Sequence, residues 1–273
     1  MKKILEVKHL NVTPLNDPRR HLVDDISFDL YPGRTTCIVG ESGSGKSLTA
    51  LSIMKLLSSQ LKQTGDIVFE GQNISHISNV AMREYRGKSM AMIFQEPMTS
   101  LNPVISIGDQ IKEALKVHLD LDKKSLDKKV ASLLKEVGIS EDRVSSYPDE
   151  LSGGQRQRIM IAMSIACEPS ILIADEPTTA LDVTVQAQIL KLLKNLKEKR
   201  RMAMLFITHD FGVVEEVADD VIVMYQGRIV EKGSVRDVLK KPKHAYTKAL
   251  LNCVPDAKGI KELKPIQHRA FIF

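Results

Sequence analysis

The sequence predicts an α/β fold with an N-terminal antiparallel β region and an inserted α-helical segment. Short apolar runs rich in β-branched residues alternate along the chain with segments of helical spacing, a pattern typical of a sheet covered by helices. The apolar run at 35–39 leads through a glycine-rich loop into a predicted helix at 48–57. Between about 97 and 168 helical spacing dominates, which indicates an insertion into the α/β core.

With 273 residues, 43% of them hydrophobic, the chain is long enough for one large domain. We expect a domain over residues 1–255 and a C-terminal tail at 256–273. Cys37, Cys167 and Cys253 lie far apart without CxxC spacing, which argues against a disulfide framework or a zinc site and fits a reducing cytoplasm. We expect neither a transmembrane helix nor a signal peptide, because no sufficiently long apolar stretch is present.

The net charge of +5 leaves three partners open: nucleic acid, an anionic membrane surface, or a nucleotide whose phosphates the chain neutralises. Aromatic residues make up only 4% of the chain and Trp is absent, so a base-stacking surface for single-stranded nucleic acid is poorly supported. We interpret the lysines around 123–129 as a solvated helix face.

The first two predicted strands are half-buried and antiparallel. Residues 4–10 and 22–30 alternate between apolar and polar side chains, and a proline-containing turn is expected at 13–20. Further strands are expected at 65–71, 89–95, 171–177 and 204–208 and as a hairpin over 220–233, and further helices at 107–119, 126–137, 156–167, 183–199 and 235–251, with a break at Pro242.

The loop that follows the strand at 35–39 fits the phosphate-binding pattern GxxxxGK[ST] in full. Its glycines let the backbone curl and point successive N–H groups at an anion, and the following helix adds the positive end of its dipole. Lys46 is expected to reach the β- and γ-phosphates of a nucleotide, and Ser47 to hold Mg²⁺. The candidate nucleotide contacts in this loop are Gly40, Glu41, Ser42, Gly43, Ser44, Gly45, Lys46, Ser47 and Leu48.

Two carboxylates at the end of a later apolar strand supply the other half of a phosphoryl-transfer site. Asp175 is expected to support Mg²⁺, through Ser47 or water, and Glu176 to accept a proton from the attacking water. Adjacent strand residues face opposite sides, so the two carboxylates are not expected to make the same contact. Gln95 and His209 also follow predicted strands, and ligands bind at the carboxyl ends of strands in open α/β sheets. A Gln at a strand end is by itself uninformative.

A second glycine-rich turn, at 151–155, opens the predicted helix at 156–167. A helix N-terminus of this kind offers a second anion site. The alternative is an ordinary N-cap, which is the commoner role of a serine in front of a helix. The candidate contacts here are Ser152, Gly153, Gly154 and Gln155.

Together these motifs resemble those of the ATP-binding-cassette (ABC) ATPases, and the resemblance extends from about residue 5 to residue 255. The landmarks appear in the family's order: the loop at 40–47, Gln95, the turn at 151–155, Asp175 with Glu176, the turn at 180–182, and His209. The resemblance implies a RecA-like P-loop core with a helical subdomain inserted at about 97–168, and ATP and Mg²⁺ as ligands.

The resemblance also implies individual roles. Glu176 and His209 are the implied catalytic residues, with His209 touching the γ-phosphate. Ser47, Gln95 and Asp175 are the implied Mg²⁺ contacts, and Asp182 is placed at a dimer interface. In this family the turn at 151–155 of one subunit closes over ATP that is bound to another.

Within the family, the stretches at 91–103, 174–182 and 242–251 look most like the ATPase subunits of oligopeptide, dipeptide and nickel importers. This likeness implies a peripheral protein on the cytoplasmic face of the inner membrane. It also implies two membrane permease subunits, on which the chain docks through the segment after Gln95. A second ATPase subunit, identical or related, is a further implied partner. An extracytoplasmic substrate-binding protein is implied as an indirect partner. No nucleic acid is expected. The alternatives are an exporter subunit and a soluble ABC-type ATPase acting on nucleic acid or ribosomes.

The chain departs from the family pattern in two places. Members usually stack an aromatic ring on adenine just before the second strand, yet residues 11–22 contain no Phe, Tyr or Trp, which leaves Pro14, Leu15 or His21 as substitutes. Many peptide-importer ATPases carry a cysteine cluster near the C-terminus, where this chain has only Cys253, so no iron–sulfur centre is expected.

Overall fold

A computed structural model describes residues 1–95, 100–179 and 181–253. The contacts divide the chain into two units, the first formed by Met1–Ser75 with Phe206–Phe273 and the second by His76–Leu205. The predicted helical insertion at about 97–168 falls within the second unit, and the predicted tail at 256–273 lies outside the described residues.

The elements of the described chain largely follow the predicted order. The strands are β1 (Leu5–Pro14), β2 (Val23–Leu30), β3 (Thr35–Val39), β4 (Leu61–Phe69), β5 (Gln72–Asn73), β6 (Met90–Ile93), β7 (Ile171–Asp175), β8 (Ala203–Thr208), β9 (Asp220–Tyr225) and β10 (Arg228–Ser234). The helices are α1 (Lys46–Ile53), α2 (Asn79–Met82), α3 (Ile107–Lys116), α4 (Lys123–Glu136), α5 (Gly153–Ile165), α6 (Val183–Arg200), α7 (Phe211–Val217), α8 (Val235–Lys240) and α9 (Ala245–Asn252), with 3₁₀ turns at Glu141–Ser145 and Pro148–Glu150.

The N-terminal part of the first unit is an antiparallel sheet in the order β2-β1-β4-β5, which confirms the predicted antiparallel region. β1 is longer than predicted and carries Pro14 as its last residue, paired with Leu61. The predicted turn at 13–20 therefore began too early. Proline has no N–H to donate to a neighbouring strand. At the last position of a strand it therefore interrupts the hydrogen-bond ladder least.

The first unit also contains β10, β9 and β3 in that order, followed by the last three residues of β8. β3 is buried along its whole length and pairs in parallel with β9, so that Val39 lies opposite Val223. β9 and β10 form the predicted antiparallel hairpin around Gln226 and Gly227. This arrangement brings the end of β3, where the glycine-rich loop starts, next to the end of β9.

In the second unit β6 and β7 pair in parallel, and Ile93 lies opposite Ala174. Their carboxyl ends therefore meet at the same edge. Helix α4 of this unit buries one apolar stripe, as its spacing predicts. In α4 the buried side chains are Leu126, Val130, Leu133 and Leu134. Lys123, Lys124 and Lys128 are exposed, as the solvated lysine face predicts, whereas Lys129 is half-buried and pairs with Glu168.

The predicted helix at 48–57 has different bounds in the structure. α1 begins at Lys46 and ends at Ile53, and Lys55 has a left-handed backbone with φ 52°. Helical periodicity in the sequence continued past this stop because the following residues are apolar. The short helices α2 and α7 were not predicted, since four and seven residues are too few to show a helical period. Among the described residues, no helix has the length and apolar character needed to span a bilayer.

Candidate functional site

The phosphate-binding loop runs from the end of β3 to the start of α1, as predicted. Gly45 occupies the position before α1 with φ 100°, and no side chain caps the helix there. Polar side chains that usually occupy this position satisfy the first backbone N–H groups of a helix. Without such a cap, the N-terminus of α1 has the donors and the dipole that a phosphate group needs.

Two of the loop glycines are required by close backbone contacts. A Cβ atom at Gly40 would lie 2.2 Å from the carbonyl oxygen of Met224, and one at Gly45 would lie 2.8 Å from the carbonyl oxygen of Leu22. The loop is therefore pressed against the end of β9 and against the residue before β2. Gly227 adds a hydrogen bond, since its N–H donates to the Ser44 carbonyl at 3.1 Å.

Lys46 lies across the loop and is 5% exposed. Its Nζ donates to the carbonyl oxygens of Gly40 at 2.8 Å and Glu41 at 2.9 Å. The Ser44 hydroxyl is buried and has no hydrogen-bond partner within the described part of the chain. These three groups, the buried ammonium, the Ser44 hydroxyl and the uncapped start of α1, fit a bound polyphosphate. An anion would balance the charge of the ammonium and accept hydrogen bonds from the hydroxyl and the helix N-terminus. Ser47 and Leu48, in the first turn of α1, are half-buried.

The second unit brings Gln95 and Glu176 together. The Gln95 Nε2 donates to Oε2 of Glu176 at 3.3 Å, and the Thr179 hydroxyl donates to the same oxygen at 3.0 Å. The parallel register of β6 and β7 explains this meeting, since both residues follow the carboxyl ends of paired strands. Thr179 was not among the predicted site residues, although it lies three residues after Glu176, within reach of a turn.

Asp175 and Glu176 belong to different backbone elements, although the sequence predicts both at the end of one strand. Asp175 is the last residue of β7 and is 5% exposed. Glu176 lies beyond the strand and has a left-handed backbone with φ 46°, which is uncommon for a residue with a side chain. The predicted strand at 171–177 is therefore two residues too long. The turn, and not the two-residue period, directs the Glu176 carboxylate towards Gln95 and Thr179.

The second glycine-rich turn forms a capping box at the start of α5. The Ser152 hydroxyl accepts a hydrogen bond from the Gln155 N–H at 3.3 Å, and the Gln155 side chain accepts one from the Ser152 N–H at 3.0 Å. Ser152 and Gly153 are exposed. A Cβ at Gly154 would lie 2.6 Å from Cγ1 of Val185 in α6, so this glycine allows two helices to approach closely. The hydroxyl accepts in the cap, so its proton can still be donated to a ligand.

The remaining predicted positions are distributed over both units. His209 follows β8 in the first unit and is exposed, and the next residue, Asp210, caps α7 by accepting from the Gly212 N–H at 2.7 Å. Asp182 caps α6 in the second unit by accepting from the Val185 N–H at 2.9 Å. Ala180 and residues 96–99, which begin the predicted permease-docking segment, lie outside the described residues.

One contact of the loop was not predicted at all. Tyr246 of α9 accepts a hydrogen bond from the Glu41 N–H at 3.3 Å. The sequence predicts a helix for the stretch that contains Tyr246 and a likeness to importer subunits, but no contact with the loop. No local pattern links it to a loop 205 residues away.

Comparison with known families decides where this chain belongs. A family model described as ABC transporter matches residues 23–179, which is more than half of the chain. The chain belongs to the ABC transporter family. A second model, described as the C-terminal region of oligopeptide/dipeptide transporters, matches residues 230–271 of this ABC protein. The predicted ABC ATPase identity and ATP as its ligand are thereby confirmed.

Individual relatives extend the likeness over nearly the whole ABC chain. It is 50% identical over 273 residues to the dipeptide transport ATP-binding protein DppD of Bacillus subtilis, covering 97% of this chain and 81% of the relative. It is 48% identical over 270 residues to the glutathione import ATP-binding protein GsiA of Escherichia coli O157:H7, covering 95% of this chain but only 43% of GsiA.

A solved structure supports the fold of this ABC ATPase directly. The structure of cbiO1 from Clostridium perfringens, part of the ABC transporter complex cbiONQ, matches with a TM-score of 0.77 and 30% identity. The match covers 88% of this chain and 92% of cbiO1. The predicted α/β P-loop fold is confirmed.

Proposed function

We propose that this ABC ATPase energises the uptake of peptides through separate membrane permease subunits. The observation that carries the proposal is the match of residues 230–271 to the C-terminal region of oligopeptide/dipeptide transporters, added to an ABC match at 23–179. The names of DppD and GsiA, dipeptide transport and glutathione import, support the same class of cargo. Nickel or another metal chelate is the alternative cargo.

The phosphate loop of the first unit supplies the binding step. Its curled backbone and the N-terminus of α1 receive the β- and γ-phosphates, and Lys46 turns from the Gly40 and Glu41 carbonyls to the added negative charge. Ser47, Gln95 and Asp175 offer a hydroxyl, an amide and a carboxylate, oxygen donors that suit Mg²⁺. When bound, Mg²⁺ would neutralise charge that develops on the phosphate oxygens.

Glu176 is the proposed general base of ATP hydrolysis. The hydrogen bonds from Gln95 and Thr179 fix the position of its carboxylate, which would then orient and deprotonate water. His209 is proposed to contact the γ-phosphate, and its exposure in the structure is compatible with a contact that forms only when nucleotide is bound.

A second ATPase subunit is proposed to complete each nucleotide site. The exposed Ser152 and Gly153, with Gly154 and Gln155, would cover ATP on a partner chain, so that binding closes the pair and hydrolysis opens it. Two permease subunits at the cytoplasmic face of the inner membrane would receive this motion, and an extracytoplasmic binding protein would deliver the cargo. The family match favours transport over an ATPase that acts on nucleic acid or ribosomes.

His21 is our candidate for the adenine contact. It directly precedes Leu22, whose carbonyl oxygen lies against Gly45, and its ring is held near Asp24, with Nδ1 3.4 Å from Oδ1. Asp24 is in turn bound by Arg228 at 2.6 Å. We expect His21→Ala to weaken the binding of ATP but not of inorganic triphosphate, as measured by competition titration. An equal effect on both ligands would exclude a base contact.

Uptake and membrane association test the proposed function together. Cells that lack this chain should lose the uptake of labelled dipeptide while the uptake of labelled nickel is kept, and the wild-type gene should restore dipeptide uptake. The chain should also co-purify with two multispanning membrane proteins. Undiminished dipeptide uptake in the deletion strain would contradict the proposed cargo. Salt-sensitive binding to nucleic acid without membrane association would contradict a transport role altogether.

A further inference from the structure

Helix α9 contacts the phosphate loop through a buried tyrosine. The Tyr246 side chain has no exposed surface, and its ring centroid lies 4.2 Å from that of Tyr225, the last residue of β9. Its hydroxyl accepts the hydrogen bond from the Glu41 N–H at 3.3 Å. A residue that follows the last strand therefore supports the first turn of the loop.

The start of α9 is itself fixed to the hairpin that flanks the loop. The Glu231 carboxylate in β10 accepts hydrogen bonds from the N–H groups of Lys243 at 2.8 Å and His244 at 3.0 Å. His244 then caps the helix, because its Nδ1 accepts from the Tyr246 N–H at 3.2 Å. These bonds fix the backbone that carries Tyr246. The position of its hydroxyl therefore depends on β10 as well as on the packing of the tyrosine ring.

Both backbone groups of Glu41, its N–H and its carbonyl oxygen, make hydrogen bonds. Tyr246 binds its N–H, while Lys46 donates to its carbonyl oxygen at 2.9 Å. The preceding residue, Gly40, is confined by the Met224 carbonyl. The backbone that Tyr246 holds is therefore the one that positions the ammonium of Lys46.

The Tyr246 hydroxyl is a neutral group at any ordinary pH. Burial raises its pKa well above the usual value and outweighs the hydrogen bond from the Glu41 N–H, which lowers it; the acidic side chain of Glu41 also raises it. A neutral hydroxyl can accept from the Glu41 N–H without placing a negative charge next to the incoming phosphates. It supports the loop without repelling its ligand.

We propose that Tyr246 is a positioning residue of the nucleotide site, through which the C-terminal region sets the affinity of the phosphate loop for ATP. Tyr246 lies outside the segment matched by the general ABC model, at 23–179, and inside the segment matched by the oligopeptide/dipeptide transporter model, at 230–271. The C-terminal region thus adds a support to the site that the general motifs do not include. This inference rests on the proposed role of the loop in binding ATP.

The test is the variant Tyr246→Phe in the full-length chain, which keeps the ring and removes only the hydroxyl. We expect the Kd and the KM for ATP to rise about two- to ten-fold, in line with the loss of one hydrogen bond, while kcat stays within about two-fold of the wild type. The matched control is Tyr31→Phe, which removes a phenolic hydroxyl from the turn after β2 and should leave both constants unchanged. Thermal unfolding of all three proteins shows whether the fold is preserved.

An unchanged Kd for ATP in Tyr246→Phe would overturn the inference. A proportional loss of kcat with no change in KM would also overturn it, because a positioning role acts on binding. If the variant does not fold, Glu231→Gln takes its place, since it weakens the hold of β10 on α9. A raised Kd in Glu231→Gln supports the inference and a wild-type Kd overturns it. Failure of the wild-type chain to bind ATP would instead contradict the proposed function.

Discussion

At the scale of single residues, neutral hydrogen-bond partners orient the charged groups of the proposed site. Lys46 is buried with two carbonyl partners, which orient its ammonium without cancelling its charge. Glu176 is held by an amide and a hydroxyl, which orient its carboxylate without protonating it. Each group is thus positioned while its charge is kept for a ligand or a proton.

Glu176→Gln should separate binding from chemistry. We expect ATP affinity to be kept and hydrolysis to fall by roughly 10²–10⁴, because the amide can still accept from Thr179 but cannot take a proton. Equilibrium nucleotide binding and single-turnover hydrolysis measure the two effects. Glu198→Gln, which changes an exposed carboxylate on α6, serves as the control and should behave like the wild type. Normal turnover in Glu176→Gln would refute the assigned role.

At the scale of elements, helix ends place the functional groups. α1 begins at Gly45 without a side-chain cap, whereas α5 begins at Ser152 with a full capping box. The first end therefore has no side-chain cap at the place where a phosphate would bind, whereas the second end is already capped by its own side chains. This difference agrees with the proposal that the two ends serve one nucleotide from two subunits.

Gly154→Ala should disturb the packing of α5 on α6. Its Cβ would lie 2.6 Å from Cγ1 of Val185, so the valine side chain or the helices must shift, and we expect a loss of about 1–3 kcal/mol in the free energy of unfolding. The matched variant is Gly153→Ala, whose nearest neighbour, Leu181, would lie at an ordinary contact distance of 3.9 Å. Denaturant unfolding compares the two. Equal stability of both variants would contradict the packing explanation.

An ion-pair cluster joins the C-terminal ends of α4 and α6. Glu136 accepts from Arg200 at 2.6 Å and from Lys199 at 2.9 Å, and Glu136 and Arg200 are largely buried. Burial alone would raise the pKa of Glu136, but the hydrogen bonds from Lys199 and Arg200 outweigh it and hold this pKa below its usual value.

This pKa shift predicts a dependence of stability on pH. A carboxylate whose pKa is lower in the folded state stabilises the protein above its unfolded pKa of about 4.3, and the contribution is lost as the pH falls through the lower folded value. Glu136→Gln should therefore lower the melting temperature at pH 7 and lose less stability than the wild type between about pH 5 and pH 3. Thermal unfolding over this range is the measurement. Parallel plots of melting temperature against pH for wild type and Glu136→Gln would contradict this prediction. The control is Glu141→Gln, which changes an exposed carboxylate.

At the scale of the whole molecule, the two glycine-rich turns that are proposed to bind nucleotide belong to different units of the chain. The glycine-rich loop at 40–47 lies in the first unit, and the turn at 152–155, with Ser152 and Gly153 exposed, lies in the second. Under the proposed function, a chain with both turns would pair with an identical copy, and ATP would join the two copies.

ATP should therefore change the association of the purified chain. We expect Glu176→Gln with ATP and Mg²⁺ to sediment as a dimer, because ATP is bound but not consumed, and with ADP as a monomer. Adding Ser152→Glu to that variant should abolish the dimer by placing a carboxylate against the γ-phosphate, whereas adding Ser145→Glu, at another exposed serine, should not. Monomers under all conditions would contradict pairing of identical copies.

The sequence by itself determined the elements whose residues are adjacent in the chain. β3, the glycine-rich loop and the start of a helix follow from one contiguous motif, and β7 with its two carboxylates follows from an apolar run that ends in charge. Local spacing is sufficient here because the chemistry and the backbone conformation are set by neighbours. The boundary of α1 was less predictable, since its apolar pattern continues beyond the turn that stops it.

Only the tertiary structure decided which distant residues meet. Gln95 reaches Glu176 across 81 positions because β6 and β7 pair in parallel, and a left-handed turn at Glu176 directs the carboxylate. Tyr246 reaches Glu41 across 205 positions because β10 fixes the start of α9. Neither contact leaves a periodic signal in the sequence, since each depends on the packing of elements and not on the spacing of residues. The loop's chemistry is therefore local, whereas the supports that orient it are set by the fold.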